Sequence, residues 1–236
     1  MPQDISGYDV GALLYCPANA HHTVAQAVTA ERLPRPFSLA LCLEDTVRAD
    51  ALAAAEQAVE QTLHDLTDAA RQETFYRPLT FVRVRSPEQL ARLGRAYGKY
   101  RPLLTGFILP KFFIETCGAY CAVIRDLQAD GLDYFYMPVF EAPSMLPLHT
   151  RHAALAEVKA QLDALRECIL NIRVGGNDLC HVFGLRRDPG HTIYDLRPVA
   201  DVLTDLLTTF APDYLVAGPV WEYYNGPGWA EGLAQE

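Results

Sequence analysis

The chain has 236 residues, half of them hydrophobic, with a formal net charge of -9 and a pI near 5.2. This length allows a sizeable core, and we expect one domain over residues 1–236. The acidic balance without a basic run argues against a nucleic-acid binder, because phosphate binding relies on dense Lys and Arg. The start "MPQDISGYDV" lacks the features of a secretory signal, and no apolar run reaches the roughly eighteen residues of a membrane span. We therefore expect a soluble cytoplasmic protein.

Short apolar runs alternate with longer segments of helical period, a pattern that predicts βα units around a parallel sheet. Several runs are apolar on consecutive residues, as expected of strands covered on both faces. In chain order the predicted strands are "GALLYCPA", "SLALCLED", "LTFVRVR", "GFILPKF", "DYFYMPVFE", "ILNIRVGG" and "DYLVAGPVW".

The intervening segments predict outer helices. The segment "ADALAAAEQAVEQTLHDLTDAARQ" is Ala-rich with one apolar stripe, and "RHAALAEVKAQLDALRECI" and "RPVADVLTDLLTTF" repeat that spacing. In "SPEQLARLGRAYGKY", Ser86 and Gln89 have the spacing of a capping box, with Pro87 at the first helical position. The six cysteines show no CxxC pair, so we interpret them as reduced thiols.

Seven predicted strands are one short of a closed (β/α)8 barrel, and the final stretch "GPGWAEGLAQE" has no further strand pattern. The sequence therefore predicts an α/β chain of the TIM-barrel type. Either the barrel is incomplete in this chain, with its eighth strand missing, or the count of predicted strands is one too low.

Charged residues close most of the apolar runs. In a (β/α) barrel the catalytic groups lie at the carboxyl ends of the strands, so these residues are the natural candidates for a site. They are Glu44, Asp45, Arg83, Arg85, Lys111, Glu141 and Asp178. Singly, each has a structural alternative as an ion-pair partner, a surface residue or a helix-start carboxylate.

Glu141 and Asp178 follow neighbouring predicted strands, and two carboxylates with waters and substrate oxygens are a usual way of holding Mg²⁺. The sequence therefore predicts a magnesium site. Such an ion could polarise a carbonyl and stabilise charge as a carbon–carbon bond breaks.

Arg83 offers a fork-shaped donor suited to a substrate carboxylate, and Lys111 would add positive potential. Gly175 and Gly176 would let the backbone approach a ligand or leave space beside the metal. We predict that substrate is contacted by Arg83 and by the Gly175–Asn177 stretch.

Glu44 and Asp45 are adjacent, and adjacent strand residues point to opposite faces. If the strand continued through both, only one of them could face the site. An indirect role, such as orienting Arg83 or a metal-bound water, is an equally good interpretation for this pair.

The succession "LLYCPAN", "LCLEDTV", "FVRVR", "GFILPKF", "MPVFEAP" and "RVGGNDLCHVFG" resembles the citrate lyase beta-subunit and malyl-CoA lyase superfamily over residues 11–184. The resemblance implies a TIM barrel, assembly into trimers or hexamers, and Mg²⁺-dependent cleavage or formation of carbon–carbon bonds in acyl-CoA or keto-acid substrates. It implies Glu141 and Asp178 as metal ligands, Arg83 as the substrate-binding arginine, and Glu44 and Asp45 in the acidic second-strand motif.

The chain departs from that family at several points. Gly11-Ala12 stands where the family usually has Arg-Ser, and Arg85 where it usually has Asn. Nothing after Trp229 resembles the family's eighth-strand Ile-His-Pro segment or its lid. The pattern is similar to a divergent branch, the lyase-like proteins of tellurium-resistance gene clusters.

We therefore expect a Mg²⁺-dependent carbon–carbon lyase acting on a hydroxy- or keto-carboxylate, free or as a CoA thioester, in a homo-oligomer without nucleic-acid or membrane partners. Two alternatives remain open at this stage. One is a thioester hydrolase on the same scaffold, and the other is a non-catalytic metal- or metabolite-binding partner.

Overall fold

The structure is a computed structural model, and it describes residues 5–33, 35–72, 74–188 and 190–219. The chain divides into two compact units, which are described separately below. Unit 1 comprises Met1–Pro110 and Ala119–Tyr136, and unit 2 comprises Lys111–Gly118 and Met137–Glu236. No helix among the described residues is long and apolar enough to cross a membrane.

Unit 1 is built on four parallel strands that pair in chain order: β1 (Leu13–Pro17), β2 (Ser38–Cys42), β3 (Thr80–Arg83) and β4 (Leu104–Leu109). All residues of β2 and β3 are buried, which explains why both strands are almost continuously apolar. The β3–β4 register shifts by one residue after Thr80. There the Thr80 N–H donates to the Thr105 Oγ1 at 3.1 Å. The side chain of the bulged residue, Thr105, thus accepts the bond that a backbone carbonyl would accept in a regular ladder.

Helices join these strands: α1 (His21–Thr29), α2 (Leu52–Gln72) and α3 (Pro87–Ala96), with α4 (Cys117–Ala129) following β4. The long α2 buries one stripe, namely Ala55, Val59, Thr62, Leu63 and Leu66. The start of α3 has the predicted cap, because the Ser86 side chain accepts from the Gln89 N–H and Pro87 occupies the first helical position. The reciprocal bond of a capping box is not made, since the Gln89 side chain accepts the Arg85 N–H instead.

Unit 2 contains most of β5 (Phe135–Phe140), whose first two residues belong to unit 1, together with β6 (Ile172–Val174) and β7 (Val216–Ala217). These strands are also parallel and pair in chain order. Their helices are α5 (Leu148–Asp163), α6 (Gly176–Val182) and α7 (Arg197–Phe210). The Phe140 and Phe210 rings meet in the core with centroids 5.0 Å apart.

All seven predicted strands are present among the described residues, although each is shorter than its apolar run. The observed strands end before the charged residues, except that β3 includes Arg83. The six cysteines are free thiols, as predicted, and five of them are buried. The predicted strand-free stretch 226–236 lies outside the described residues, and so does the end of the run "DYLVAGPVW".

One glycine is required by close packing. A Cβ built on Gly106 of β4 would lie 1.8 Å from the carbonyl oxygen of Phe135. No side chain fits there without moving the backbone of the next strand.

We therefore expect Gly106→Ala to destabilise the protein by about 1–3 kcal/mol or more, the range for overpacked cores. Gly118→Ala is the matched control, since a Cβ on Gly118 in α4 would meet only Gln161 Oε1 at 3.6 Å. That variant should be neutral or up to about 1 kcal/mol more stable, because Gly weakens helices. Urea denaturation of both variants checks this, and equal effects would contradict it.

Candidate functional site

In unit 1, Arg83 forms ion pairs with two carboxylates. Arg83 is the last residue of β3, and only 10 % of its side chain is exposed. Its Nη2 lies 2.8 Å from Glu44 Oε2, and its Nη1 donates to Asp45 Oδ2 at 2.7 Å. Its guanidinium carbon also lies 6.0 Å from the centroid of the Tyr15 ring. The buried positive charge is therefore balanced on two sides and bordered by an aromatic ring.

Both acidic residues reach Arg83 because β2 ends at Cys42. The condition that would have turned one of them away, a strand continuing through Glu44 and Asp45, does not hold. The two differ in surroundings: the Glu44 side chain is 12 % exposed and that of Asp45 is 50 % exposed.

Arg85 holds the loop that carries these acids. Its Nε donates to the Leu43 carbonyl at 2.6 Å, and its Nη2 donates to the carbonyls of Glu44 and Val47. These contacts fix the loop backbone, and they give the arginine that stands in place of the family's usual Asn a clear structural role.

The Arg85 backbone is itself tied to α3 and α2. Its N–H donates to Gln89 Oε1 at 2.7 Å, and Gln89 Nε2 donates to Glu56 Oε1 at 2.6 Å. Burial raises the pKa of Glu56, but hydrogen bonds from Arg92 and Gln89 outweigh it, so the pKa lies below its ordinary value. Glu56 is thus kept ionised, and its carboxylate is the final acceptor of this hydrogen-bond network.

In unit 2, Glu141 directly follows β5 and is 2 % exposed. Its Oε1 accepts the Lys111 N–H at 3.1 Å. Its Oε2 lies where a side chain on Gly175 would be, since a Cβ there would come within 2.1 Å. Gly175 is therefore needed beside the Glu141 carboxylate.

Lys111 contributes through its backbone in a conformation that is unusual for a residue with a side chain, with φ of 49°. Its carbonyl accepts from Thr116 Oγ1 at 2.8 Å, which helps to hold this turn. The side chain is exposed. The lysine thus presents its N–H to Glu141, a role that the sequence did not indicate.

Asp178 lies in the first turn of α6, which begins at Gly176. Asp178 and Asn177 are half-buried, and no hydrogen bond or ion pair from any other described residue reaches the Asp178 carboxylate. Close packing favours a glycine at position 176, because a Cβ there would come within 2.9 Å of Ile193 Cδ1 and Pro219 Cβ.

Glu141 and Asp178 are both carboxylates, the donor type that a hard divalent cation with several waters prefers. The Glu141 carboxylate is buried, and its Oε2 lies next to Gly175. Asp178 follows three residues after that glycine. The described residues contain no group of three or more His, Cys, Asp or Glu placed to hold a metal. Two carboxylates suit Mg²⁺, which rarely uses an all-protein cage.

Sequence reasoning missed Arg151 of α5, which supports the loop after Glu141. Its buried guanidinium donates to the carbonyls of Met145 and Leu146, and its Nη1 donates to Asp205 of α7 at 2.9 Å. In sequence it resembles any polar residue near a helix start, so no local signal distinguishes it.

A family model for C-C bond lyases of the TIM-barrel fold matches residues 4–236. The chain belongs to this family, so the predicted TIM-barrel fold and the carbon–carbon lyase class are confirmed. A search of curated protein sequences finds no match.

Solved structures agree with this fold. The citrate lyase beta subunit from M. tuberculosis, complexed with oxaloacetate and magnesium, is 19 % identical with a TM-score of 0.60, over 97 % of this chain and 86 % of that one. RipC from Yersinia pestis is 14 % identical with a TM-score of 0.57, over 93 % and 80 %. A Haloferax volcanii malate synthase is 11 % identical with a TM-score of 0.66, over 95 % and 65 %. These likenesses show the fold that the resemblance implied.

The Arg151 anchor gives a pH-dependent prediction. Burial raises the pKa of Asp205, but hydrogen bonds from Arg151 and His152 outweigh it and leave the pKa below its ordinary value of 3.8. Because the Asp205 pKa is lower in the folded protein than in the unfolded chain, the ionised carboxylate stabilises the fold at pH values above the unfolded-state pKa. This stabilisation is lost as the pH falls through the folded-state pKa. Asp205→Asn should therefore cost about 1–3 kcal/mol at pH 7, with a smaller difference from wild type below about pH 4.

Asp201→Asn is the matched control, because Asp201 lies on the same helix in an exposed pair with Arg197. It should change stability by less than about 0.5 kcal/mol. Urea denaturation between pH 3 and pH 8 measures both. An Asp205 effect that stays constant over this range would contradict the assignment.

Proposed function

We propose that this protein is a Mg²⁺-dependent lyase that cleaves a carbon–carbon bond in a hydroxy- or keto-carboxylate. The observation that carries the proposal is the buried Glu141 carboxylate. It is oriented by the Lys111 N–H and given space by Gly175, and Asp178 lies three residues after that glycine. Family membership supplies the reaction class.

Glu141 and Asp178 would hold the metal. When bound, Mg²⁺ supplies positive charge that polarises oxygens of the substrate and offsets the negative charge developing as the bond breaks. The chain's own contribution is to keep the Glu141 carboxylate in one orientation. The Lys111 N–H holds this orientation by donating to Glu141. Gly175 is held next to the carboxylate because its own N–H donates to the Phe140 carbonyl at 3.1 Å.

Arg83 would bind the carboxylate of the substrate through its fork of N–H donors, with Glu44 and Asp45 orienting the guanidinium. The Lys111 side chain would add positive potential, and Asn177 would offer amide donors to substrate oxygens. In a hydroxy-carboxylate, a base would take the hydroxyl proton, the hydroxyl-bearing carbon would become a carbonyl, and the electrons of the broken carbon–carbon bond would form the enolate of the other fragment. Negative charge develops on that fragment in the transition state, where fixed positive groups stabilise it.

The finer parts of the proposal concern substrate and assembly. The M. tuberculosis structures bind oxaloacetate, or acetoacetate and coenzyme A, with magnesium. We propose a substrate of that chemical kind, a small oxo- or hydroxy-carboxylate used free or as a CoA thioester. A cytoplasmic location and a trimeric or hexameric assembly belong to the same proposal.

Mg²⁺ titration calorimetry tests the metal site. We expect Glu141→Gln and Asp178→Asn each to weaken Mg²⁺ binding at least about tenfold, because each removes one charged ligand. Gly175→Ala should weaken it as well, since the new Cβ would displace the Glu141 carboxylate. Two exposed acids of unit 2, Glu157→Gln and Asp201→Asn, remove the same charge and should leave binding unchanged.

Turnover distinguishes the reaction classes. With Mg²⁺ and hydroxy-dicarboxylates or their CoA thioesters, release of pyruvate, glyoxylate or oxaloacetate supports a lyase. Free CoA without a keto acid would identify a hydrolase instead. Mg²⁺ binding that ignores both carboxylate substitutions would refute the proposed site.

A further inference from the structure

A cavity of about 600 Å³ lies at the amino ends of the strands of unit 1. Its lining comes from residues that precede or begin β3, β4 and β5, among them Leu79 and Phe135. Arg83 closes β3 at the opposite, carboxyl end, which is the end that carries catalytic groups in (β/α) barrels. Cavities of this size commonly hold small molecules. The lyase reaction therefore gives no reason for this cavity.

Two arginines in matching positions line the cavity. The tripeptide Arg-Pro-Leu occurs at residues 77–79, directly before β3, and again at residues 101–103, directly before β4. The two residues that follow these tripeptides are Cα partners in the parallel β3–β4 pair. The same sequence, at the same point of neighbouring strands, thus brings Arg77 and Arg101 to one cavity.

Both guanidinium groups are held by main-chain carbonyls. Arg77 Nη2 donates to the Ala70 carbonyl at 2.9 Å, and Arg101 Nη1 donates to the Gly131 carbonyl at 2.8 Å. Among the described residues these arginines make one and two hydrogen bonds, of the five that each guanidinium can donate. A neutral carbonyl orients a guanidinium without cancelling its charge, so both arginines keep charge and donors for a ligand.

One carboxylate, that of Asp133, also lines the cavity. Asp133 Oδ2 lies 4.0 Å from Arg101 Nη2, beyond hydrogen-bond distance, and the Asp133 side chain is 45 % exposed. Among the described residues that line the cavity, two are positively charged and one is negatively charged. The cavity is therefore positive in a chain whose formal net charge is -9. Such a local field favours an anionic ligand.

We propose that this cavity binds a phosphate monoester with a hydroxyl-bearing and partly apolar body, the chemical kind of a nucleoside monophosphate. A phosphate monoester carries about -1.5 to -2 charges at neutral pH, which matches two guanidinium groups whose forks suit its oxygens. Asp133 would accept a hydrogen bond from a ligand hydroxyl, and the half-buried Leu79 and Phe135 would pack against the apolar part. This inference does not depend on the proposed lyase function.

The test is calorimetric titration of the full chain with AMP at low ionic strength, in EDTA so that no metal contributes. Arg77→Gln is the main variant, because Arg77 is exposed and its substitution should leave the fold intact. It should weaken AMP binding at least about fivefold, since a charge-assisted hydrogen bond is lost. Arg101→Lys keeps the charge but loses the fork, and it should weaken binding at least about threefold. Adenosine, which lacks the phosphate, should bind at least about tenfold more weakly than AMP.

Arg197→Gln is the matched control. Arg197 is an exposed arginine of unit 2 that pairs with Asp201, and it does not line the cavity. The substitution removes the same charge as Arg77→Gln. It should leave AMP binding within about 1.5-fold of wild type, because salt screens distant exposed charges.

Four results would overturn the inference. Wild type that does not bind AMP has no such site, and equal weakening in Arg77→Gln and Arg197→Gln would show an effect of general charge. Inorganic phosphate that binds as tightly as AMP would contradict a monoester, because the body of the ligand would then add nothing. Binding that is weakened by Arg83→Lys but not by Arg77→Gln would place AMP at the carboxyl end of the sheet. Mg²⁺ binding by Glu141 is measured separately, so failure of this inference leaves the proposed function standing.

Discussion

The satisfaction of charge at the ends of buried strands is the constraint on which this molecule depends. Arg83 and Glu141 lie where apolar parallel strands stop, and each is at least nine-tenths buried. A charge in such a place must have partners, because desolvation alone would cost several kcal/mol. Arg83 is neutralised by carboxylates from the neighbouring strand's loop, and Glu141 accepts a backbone N–H from the turn after β4. The groups proposed for catalysis are thus oriented by the contacts that make their burial possible.

Two further arginines show how the loops themselves are held. Arg85 in unit 1 donates hydrogen bonds to main-chain carbonyls of the loop after β2. Arg151 in unit 2 does the same in the loop after β5. The planar fork of arginine suits this use, since its fixed donors can reach several carbonyls at once. Each loop follows a strand and carries or adjoins an acidic residue of the proposed site. Their effect on function would act through the position of those acids.

The contrast between Glu44 and Asp45 shows that adjacent residues of one type can serve different purposes. Both contact Arg83, but the Glu44 side chain is nearly buried whereas half of the Asp45 side chain is exposed, so solvent screens the Asp45 pair more strongly.

The sequence by itself determined the strand order, the α3 cap at Ser86 and the candidate residues at the strand ends, because these depend on local periodicity, capping chemistry and the position of charge after apolar runs. It singled out Gly175, but not the contact with the Glu141 carboxylate that excludes a side chain there. Only the tertiary structure decided that β2 stops at Cys42, so that both acids reach Arg83, and that Lys111 acts on Glu141 through its backbone. Arg85 and Arg151 likewise acquire their roles from carbonyls that folding brings to them. These features are contacts between segments far apart in sequence, and a pattern read along one segment carries no information about which distant groups will satisfy it.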